Sequence, residues 1–467
     1  MGSLGAVDRW LEERFPGLVT AHDVPGAAVA VLVGDEICEH AAGVLNTVTG
    51  VAATTGSVFQ LASVTKAWTA TLIMQLVDDG ELDLDLPVRR YLPGFRVADE
   101  KASATVTPRH LLSHTAGFDD EPFTESAAGD GAIGWFVDQH LPTVGQLFGP
   151  GENFSYCNAG FTLLGRIVEV LRGKPYRRVL REYLIDPLGL EHAATSADEA
   201  IRFRTSVGHQ GVGPAAAQRP VVRWSLPYSN EPAGSMLAMS ARGLLQFARM
   251  HLRGGRAPDD TQVVTESSIR AMWQAQVELP PLQPNAVHWG LGLHIEDHRH
   301  SRVVGHDGDN IGQYALLRFL PDRDAAFVLF CNGGNVSGLF RTVVAYLLAE
   351  LAGLELPPPL APPREPQNVD PHRYVGRYRA AEGTCTVTAS GPGGSVPELR
   401  LTLEPGSSTT EILGAAPTRH RIVHYGDDTF VTADPGSRAH RAFAFIGDDG
   451  HGRAAFVHHI RAIPRRP

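Results

Sequence analysis

Ser57-Val58-Phe59-Gln60-Leu61-Ala62-Ser63-Val64-Thr65-Lys66-Ala67-Trp68-Thr69-Ala70-Thr71-Leu72-Ile73-Met74-Gln75-Leu76-Val77 is the stretch around which the rest of the chain arranges itself. Its first six residues read as a short extended segment. The run from Ala67 to Val77 is nearly uncharged and long enough for a buried helix. Lysine occurs only three times in 467 residues, and one of the three, Lys66, stands three positions after Ser63. Residues three apart on a helix share a face, so the Lys66 amine is expected to point at Ser63 Oγ. A serine hydroxyl needs a base within hydrogen-bond reach to act as a nucleophile. A lysine held in a dry core loses part of its preference for the charged form and becomes such a base. Ser63 falls at the mouth of the helix, where free backbone N–H groups favour developing negative charge. An S-x-x-K triplet alone is a common accident, so its weight depends on what stands downstream.

Composition narrows the field. With 43% hydrophobic residues the chain can bury a substantial core and has length for two or three domains. The formal net charge is −10 and the basic residues are scattered, which argues against a nucleic-acid partner. Met1 to Trp10 lacks a basic segment followed by an apolar one and reads as a first helix, not a signal peptide. No apolar stretch approaches the length of a membrane span, so no membrane partner is expected. Cys38, Cys157, Cys331 and Cys385 form no C-x-x-C pair, which suits reduced thiols and a cytoplasmic location. His294, His298 and His300 lack H-E-x-x-H spacing and read as a solvated hairpin, as does His458-His459. No metal and no cofactor are expected.

The clearest boundary is the proline run Leu356 to Pro366, an extended semi-rigid spacer. It divides the chain into residues 1–355, a linker at 356–368, and residues 369–467. In the first part Val29 to Val33 reads as a buried strand, Phe161 to Leu171 and Ala241 to Leu252 as helices. Tyr314 to Phe319 and Ala325 to Phe330 read as strands joined by Pro321-Asp322-Arg323-Asp324, with a closing helix from about Val336 to Leu351. This order gives an α+β fold in which an antiparallel sheet is covered by helices. After the linker, short alternating runs at Arg373–Tyr378, Cys385–Thr388, Glu398–Leu403 and Arg441–Ile446 suggest a small all-β antiparallel barrel.

Two further triplets carry chemistry. Tyr156-Cys157-Asn158 follows a turn and precedes an apolar helix. A tyrosine beside a lysine can relay a proton, and the Asn158 amide can hold a peptide-like carbonyl. Cys157 is expected to face away and pack. His306-Asp307-Gly308 stands before the Tyr314 strand: histidine can donate a hydrogen bond or take a proton near neutral pH. Gly308 lets a substrate backbone approach the strand edge closely. An N–H just beyond it, at Asp309, could join that of Ser63 as an oxyanion hole. The acidic residues Asp119, Asp120, Glu121, Glu125 and Asp130 are expected to form a solvated loop.

In the order S-x-x-K, Y-x-N, H-x-G, the chain resembles the penicillin-binding-protein and class C β-lactamase superfamily of serine hydrolases across roughly residues 10–350. Val106–Phe118, Pro232–Met236 and Trp289–Gly292 are similar to stretches typical of it. The resemblance implies that Ser63 forms an acyl-enzyme, Lys66 and Tyr156 manage its proton, and Asn158 orients the substrate. The third triplet departs from the usual K-T-G. Losing that lysine removes a fixed positive charge for a substrate carboxylate, so efficient penicillin hydrolysis is not expected. With a lipocalin-like C-terminal barrel, the chain is similar to stand-alone penicillin-binding-type thioesterases of nonribosomal peptide assembly. That likeness implies a linear peptide passed from a carrier-protein thioester to Ser63, with a D-residue at its acyl end, and released as a head-to-tail ring. It also implies that an arginine near the chain end, assigned to Arg461 over Arg453, Arg465 and Arg466, reaches the site. Alternatives are a D-stereospecific esterase or peptidase and a non-catalytic protein that binds a ligand in the barrel.

Overall fold

The run Gly26–Val33 carries no charge and does not alternate between polar and apolar residues, the pattern of a strand covered on both faces. In the computed structural model, which describes residues 4–120, 123–124, 129–211, 217–282, 287–298, 301–390, 398–434 and 440–466, it is such a strand. The principal elements of the first body are α1 (Leu4–Ala21), β1 (Gly26–Val33), β2 (Glu36–Gly43), α2 (Thr65–Asp78), α3 (Asn158–Arg172) and α4 (Ala241–Leu252). Six strands follow: β3 (Val277–Glu278), β4 (Val287–Trp289), β5 (His294–His298), β6 (Ser301–Asn310), β7 (Gln313–Leu320) and β8 (Ala325–Cys331). Helix α5 (Val336–Ala352) ends the body. The sheet runs β3-β4-β5-β6-β7-β8-β1-β2, antiparallel throughout.

Side-chain alternation along β1 divides the core. Ala28, Ala30 and Leu32 join the cluster built around α2, α3 and α4. Ala27, Val29 and Val31 face Leu11 and Phe15 of α1 and Leu339 and Leu347 of α5. Helix α2 is buried all round and lies inside the first cluster, with every residue from Thr65 to Leu76 buried. Trp68 stacks on Phe247 of α4 with ring centroids 4.2 Å apart. A buried side chain of this size contributes roughly 2–3 kcal/mol of transfer free energy. The same packing holds Lys66 in a dry environment. Helix α2 stops at Asp79, and Gly80 follows at φ +73°, the left-handed position that ends helices.

The eight remaining strands, β9 (Gly376–Ala380), β10 (Gly383–Ser390), β11 (Glu398–Pro405), β12 (Thr418–Gly426), β13 (Thr429–Thr432), β14 (Ala442–Ile446), β15 (Phe456–His458) and β16 (Ala462–Arg466), close into an antiparallel barrel. Its interior is filled by side chains including Tyr378, Leu401, Phe430, Phe445 and Val457. A barrel packed in this way leaves little room for a ligand inside it. The proline run between the bodies is extended but tethered, not a free spacer. Arg341 Nη2 donates to Pro357 O at 2.6 Å, and Leu360 packs against Val423 and Val431 of the barrel.

Two histidine expectations are corrected. His294 and His298 lie on one face of β5 around Glu296, 3.5 and 3.7 Å from its oxygens, and His294 is buried; His300 lies outside the described residues. The alternation of the strand puts all three side chains together. His458 is also buried, because the β15–β16 turn enters the first body. The acidic run is engaged as well: Asp119 Oδ1 accepts from Ala381 N of the barrel at 2.7 Å, and Asp120 pairs with His140 at 2.7 Å. Asp130 pairs with Arg177 at 3.3 Å, while Glu121 and Glu125 lie outside the described residues.

Candidate active site

The backbone at Ser63 is clasped between two glycines. Ala62, just before it, adopts φ +47°, a left-handed conformation costing an L-residue roughly 1–2 kcal/mol. A Cβ on Gly234 would stand 2.2 Å from Ala62 O, and one on Gly308 would stand 2.3 Å from Leu61 O. Gly234 also has φ +127°. Glycine in Pro232–Ser235 and in the H-D-G triplet is therefore demanded by the close passage of two backbones beside the Ser63 turn.

One helical turn on, Lys66 is fully buried. Its Nζ donates to Ala233 O at 2.7 Å and lies 3.1 Å from Ser63 Oγ. Burial, reinforced by the charge of Arg461, drives its pKa well below the ordinary lysine range. The Tyr156 ring centroid is 4.8 Å from the amine, and the phenol is hydrogen-bonded to Ser63. Burial shifts Tyr156 the other way, raising its pKa and holding the phenol protonated. The two shifts divide the labour: the lysine is the group disposed to accept a proton, the tyrosine the one disposed to give it.

Asn158 is buried at the start of α3. His306 is buried on β6, with Nδ1 2.6 Å from the carbonyl oxygen of Asp307. A carbonyl can only accept, so Nδ1 carries the proton and Nε2 is left with a lone pair. That Nε2 is buried and has no hydrogen-bond partner among the described residues. Burial, and then the neighbouring Lys66, push His306 down to about 3, so it is neutral at physiological pH. Asp309 alternates away from Gly308 along the strand. Its side chain reaches solvent yet is crowded by protein, which pushes its carboxyl up to about 6.

The barrel completes the site. His458 Nε2 donates to Phe154 O at 3.0 Å, Tyr156 N to Ile460 O at 3.1 Å, and Ala462 N to Ser155 Oγ at 3.1 Å. These bonds dock the β15–β16 turn along residues 154–156, with Ile460 at φ +111°. Arg461, next to it, places Cζ 5.8 Å from the Tyr156 ring centroid. Its Nε lies 3.3 Å from Glu382 Oε2 at the β9–β10 turn. The competing arginines go elsewhere: Arg453 to Asp449, Arg465 to Tyr378 inside the barrel, and Arg466 to the outer wall.

His114 escaped the sequence reading. It is buried at φ +57°, and its ring lies 4.2 Å from that of Tyr156. Its Nδ1 accepts from Cys157 N at 3.0 Å and its carbonyl from Ser155 N at 2.9 Å, gripping the segment on both sides of Tyr156. The signal available was the Ser113-His114-Thr115-Ala116-Gly117 turn, but nothing local to it indicates the segment it holds. Cys157 packs in the α2 cluster as expected. Among the described residues no cluster of His, Cys, Asp or Glu is arranged to hold a metal ion.

A half-buried serine beside a buried lysine and a protonated tyrosine, on a helix-covered antiparallel sheet, defines a class of active-serine enzymes. Residues 11–350 match the Beta-lactamase family, and the chain belongs to that family, in the β-lactamase-fold serine hydrolase superfamily. The sequence is 43% identical to "Penicillin-binding protein 4" of Amycolatopsis lactamdurans over 375 residues, 80% of this chain and 97% of the relative. The structure superposes on SurE with a TM-score of 0.76 and 28% identity, covering 99% of this chain and 100% of SurE. A complex of SurE with D-Leu gives 0.74 and 30%. The D-amino acid amidase of Ochrobactrum anthropi SV3 shares the fold, with a TM-score of 0.61 and 23% identity over 73% of this chain. No helix among the described residues is long and apolar enough to cross a membrane.

Proposed function

We propose that this enzyme takes a linear peptide thioester onto Ser63 and releases it as a head-to-tail macrocycle. In the first step Ser63 Oγ attacks the thioester carbonyl while Lys66 takes the hydroxyl proton. The backbone N–H groups of Ser63 and Asp309 steady the oxyanion. The thiol leaves with a proton relayed by Tyr156, giving a Ser63 ester. The peptide's N-terminal amine then attacks that ester, an amide bond forms, and the proton it sheds returns to Ser63 as the ester C–O bond breaks. Asn158, His306 Nε2 and Arg461 hold the peptide. His306, neutral and without a fixed charge, suits an acyl group that bears no free carboxylate.

The observation that carries this reading is the docking of the barrel turn that brings Arg461 against Tyr156, within a full-length likeness to SurE, the surugamide cyclase. The SurE complex with D-Leu supports a D-residue at the acyl end. A carrier protein is the proposed donor of the thioester. The four cysteines are free and buried, which suits the reducing cytoplasm. A D-stereospecific hydrolase is the second reading. It is favoured by the penicillin-binding relative and by a serine–lysine pair that would serve water equally well. The filled barrel core counts against a protein that only binds a ligand there.

Acylation tests the reading. Peptidyl N-acetylcysteamine thioesters differing only in the configuration of the last residue are mixed with enzyme, and intact-protein mass is recorded. The expected result is an acyl adduct that forms faster from the D-thioester and is absent in Ser63→Ala. An adduct that survives Ser63→Ala, or no adduct from either thioester, overturns it.

A further inference from the structure

Strands β9 and β16 close the barrel, and their register puts Arg377 directly opposite Arg466. Alternation sends Tyr378 inward and turns Arg377, Arg379 and Arg466 outward, where all three are exposed. Like charges facing each other across a strand pair are unfavourable. None of the three guanidiniums has an ion-pair partner within 4 Å among the described residues, although Asp119 and Glu404 line the same groove. Some other arginines of the barrel are matched, Arg373 with Asp428, Arg400 with Glu398 and Arg453 with Asp449.

The three line one groove of about 810 Å³ at the seam between the bodies. Its other walls include Asp119, Ala381 and Glu404. The volume is that of a site for a small organic ligand. Asp119 is engaged with the Ala381 N–H, which fixes the seam at the groove's edge. Ala381 and Gly383 flank Glu382, the partner of Arg461, and Arg461 lies over Tyr156. The groove thus adjoins the reacting centre through one turn of the barrel.

A guanidinium is a planar fork of donors matched to phosphate oxygens. Three of them on one groove, against the two carboxylates of Asp119 and Glu404, leave a net positive charge suited to a phosphate. We propose that this groove binds the phosphate of a 4′-phosphopantetheine arm and so delivers a carrier-bound peptide thioester along the seam to Ser63. The inference rests on the acyl-transfer reading above and supplies what the serine site lacks, a reason for the thioester to arrive on a carrier.

The test compares two thioesters of one D-terminated peptide, on 4′-phosphopantetheine and on pantetheine, which differ only in the phosphate. With wild-type enzyme the phosphorylated form is expected to have a KM lower by roughly ten-fold, the worth of one or two charge-assisted hydrogen bonds. In the triple variant Arg377→Gln, Arg379→Gln, Arg466→Gln the ratio of the two KM values is expected to fall to near one. These side chains lie outside the barrel core, and a thermal melt checks that the variant is folded. Turnover of both thioesters with a wild-type ratio near one overturns the groove alone. So does a ratio that persists in the triple variant, because the phosphate is then read elsewhere. Turnover of neither thioester overturns the acyl-transfer reading and the groove's role together.

Discussion

Replacing Gly308 by alanine adds a single methyl group and tests whether the Ser63 turn depends on a strand without side chain. That methyl would stand 2.3 Å from Leu61 O, 3.0 Å from Ala62 Cβ and 3.2 Å from Ser63 N. The nearest atom is backbone and cannot swing aside. To restore ordinary contact, strand β6 or the Ser63 turn must move by about 1 Å. Forcing a methyl into packed surroundings costs roughly 1–3 kcal/mol of stability. A 1 Å misplacement of a reacting group costs on the order of 100-fold in rate. Gly308→Ala is therefore expected to acylate about 100-fold more slowly while retaining its fold. Adduct formation is followed by intact-protein mass at saturating thioester, with a thermal melt beside it. Gly17→Ala is the control: no atom outside its own helix turn lies within 4 Å of its Cβ, and at this exposed position of helix α1 it should stabilise by roughly 0.5–1 kcal/mol. Acylation by Gly308→Ala within about two-fold of wild type would refute the reasoning.

Three further outcomes follow from the same geometry. Because burial and Arg461 hold Lys66 below the ordinary lysine range, its neutral base form is present above that lowered pKa and lost as pH falls through it. Acylation should fall on the acid side accordingly, and Arg461→Gln, by removing a repelling charge, should move that limb to higher pH; an unmoved limb contradicts the coupling. His306, held down at about 3, should contribute no inflection near neutral pH, which a pH–rate profile of His306→Gln against wild type checks. His114→Ala should cost about 1–3 kcal/mol through the unsatisfied Cys157 N–H. His114→Asn, which tolerates positive φ and offers an acceptor, should recover the stability but not the acylation rate, since the ring against Tyr156 is gone.

What the sequence disclosed and what it concealed differ in range. The α2 helix and the β7–β8 hairpin rest on local patterns of burial and turn residues and appear where periodicity puts them; of the eight barrel strands the alternating runs mark four, the first of them shifted from Arg373–Tyr378 to Gly376–Ala380. Ser63 and Lys66 come together because a helix brings them together; three residues suffice. Tyr156 and Gly308 join them by packing, which the triplets hinted at only through their order along the chain. What sets Arg461 apart from Arg453, Arg465 and Arg466 is the docking of the β15–β16 turn against Phe154, a contact across 304 residues. His114 and His458 were hidden for the same reason. Both make their decisive bonds to backbone atoms, which carry no residue-type signature. The His294–Glu296–His298 face was legible in principle, since a period of two puts alternate residues on one side of a strand.

The central claim is that the Ser63 acyl-enzyme is resolved by the peptide's own amine. A D-terminated peptidyl N-acetylcysteamine thioester with a free N-terminus is incubated with enzyme, and the products are weighed by mass spectrometry. The account predicts a product lighter than the linear acid by one water, formed only when Ser63 is intact. Linear acid as the sole product from an enzyme that acylates normally would contradict it and establish a hydrolase instead.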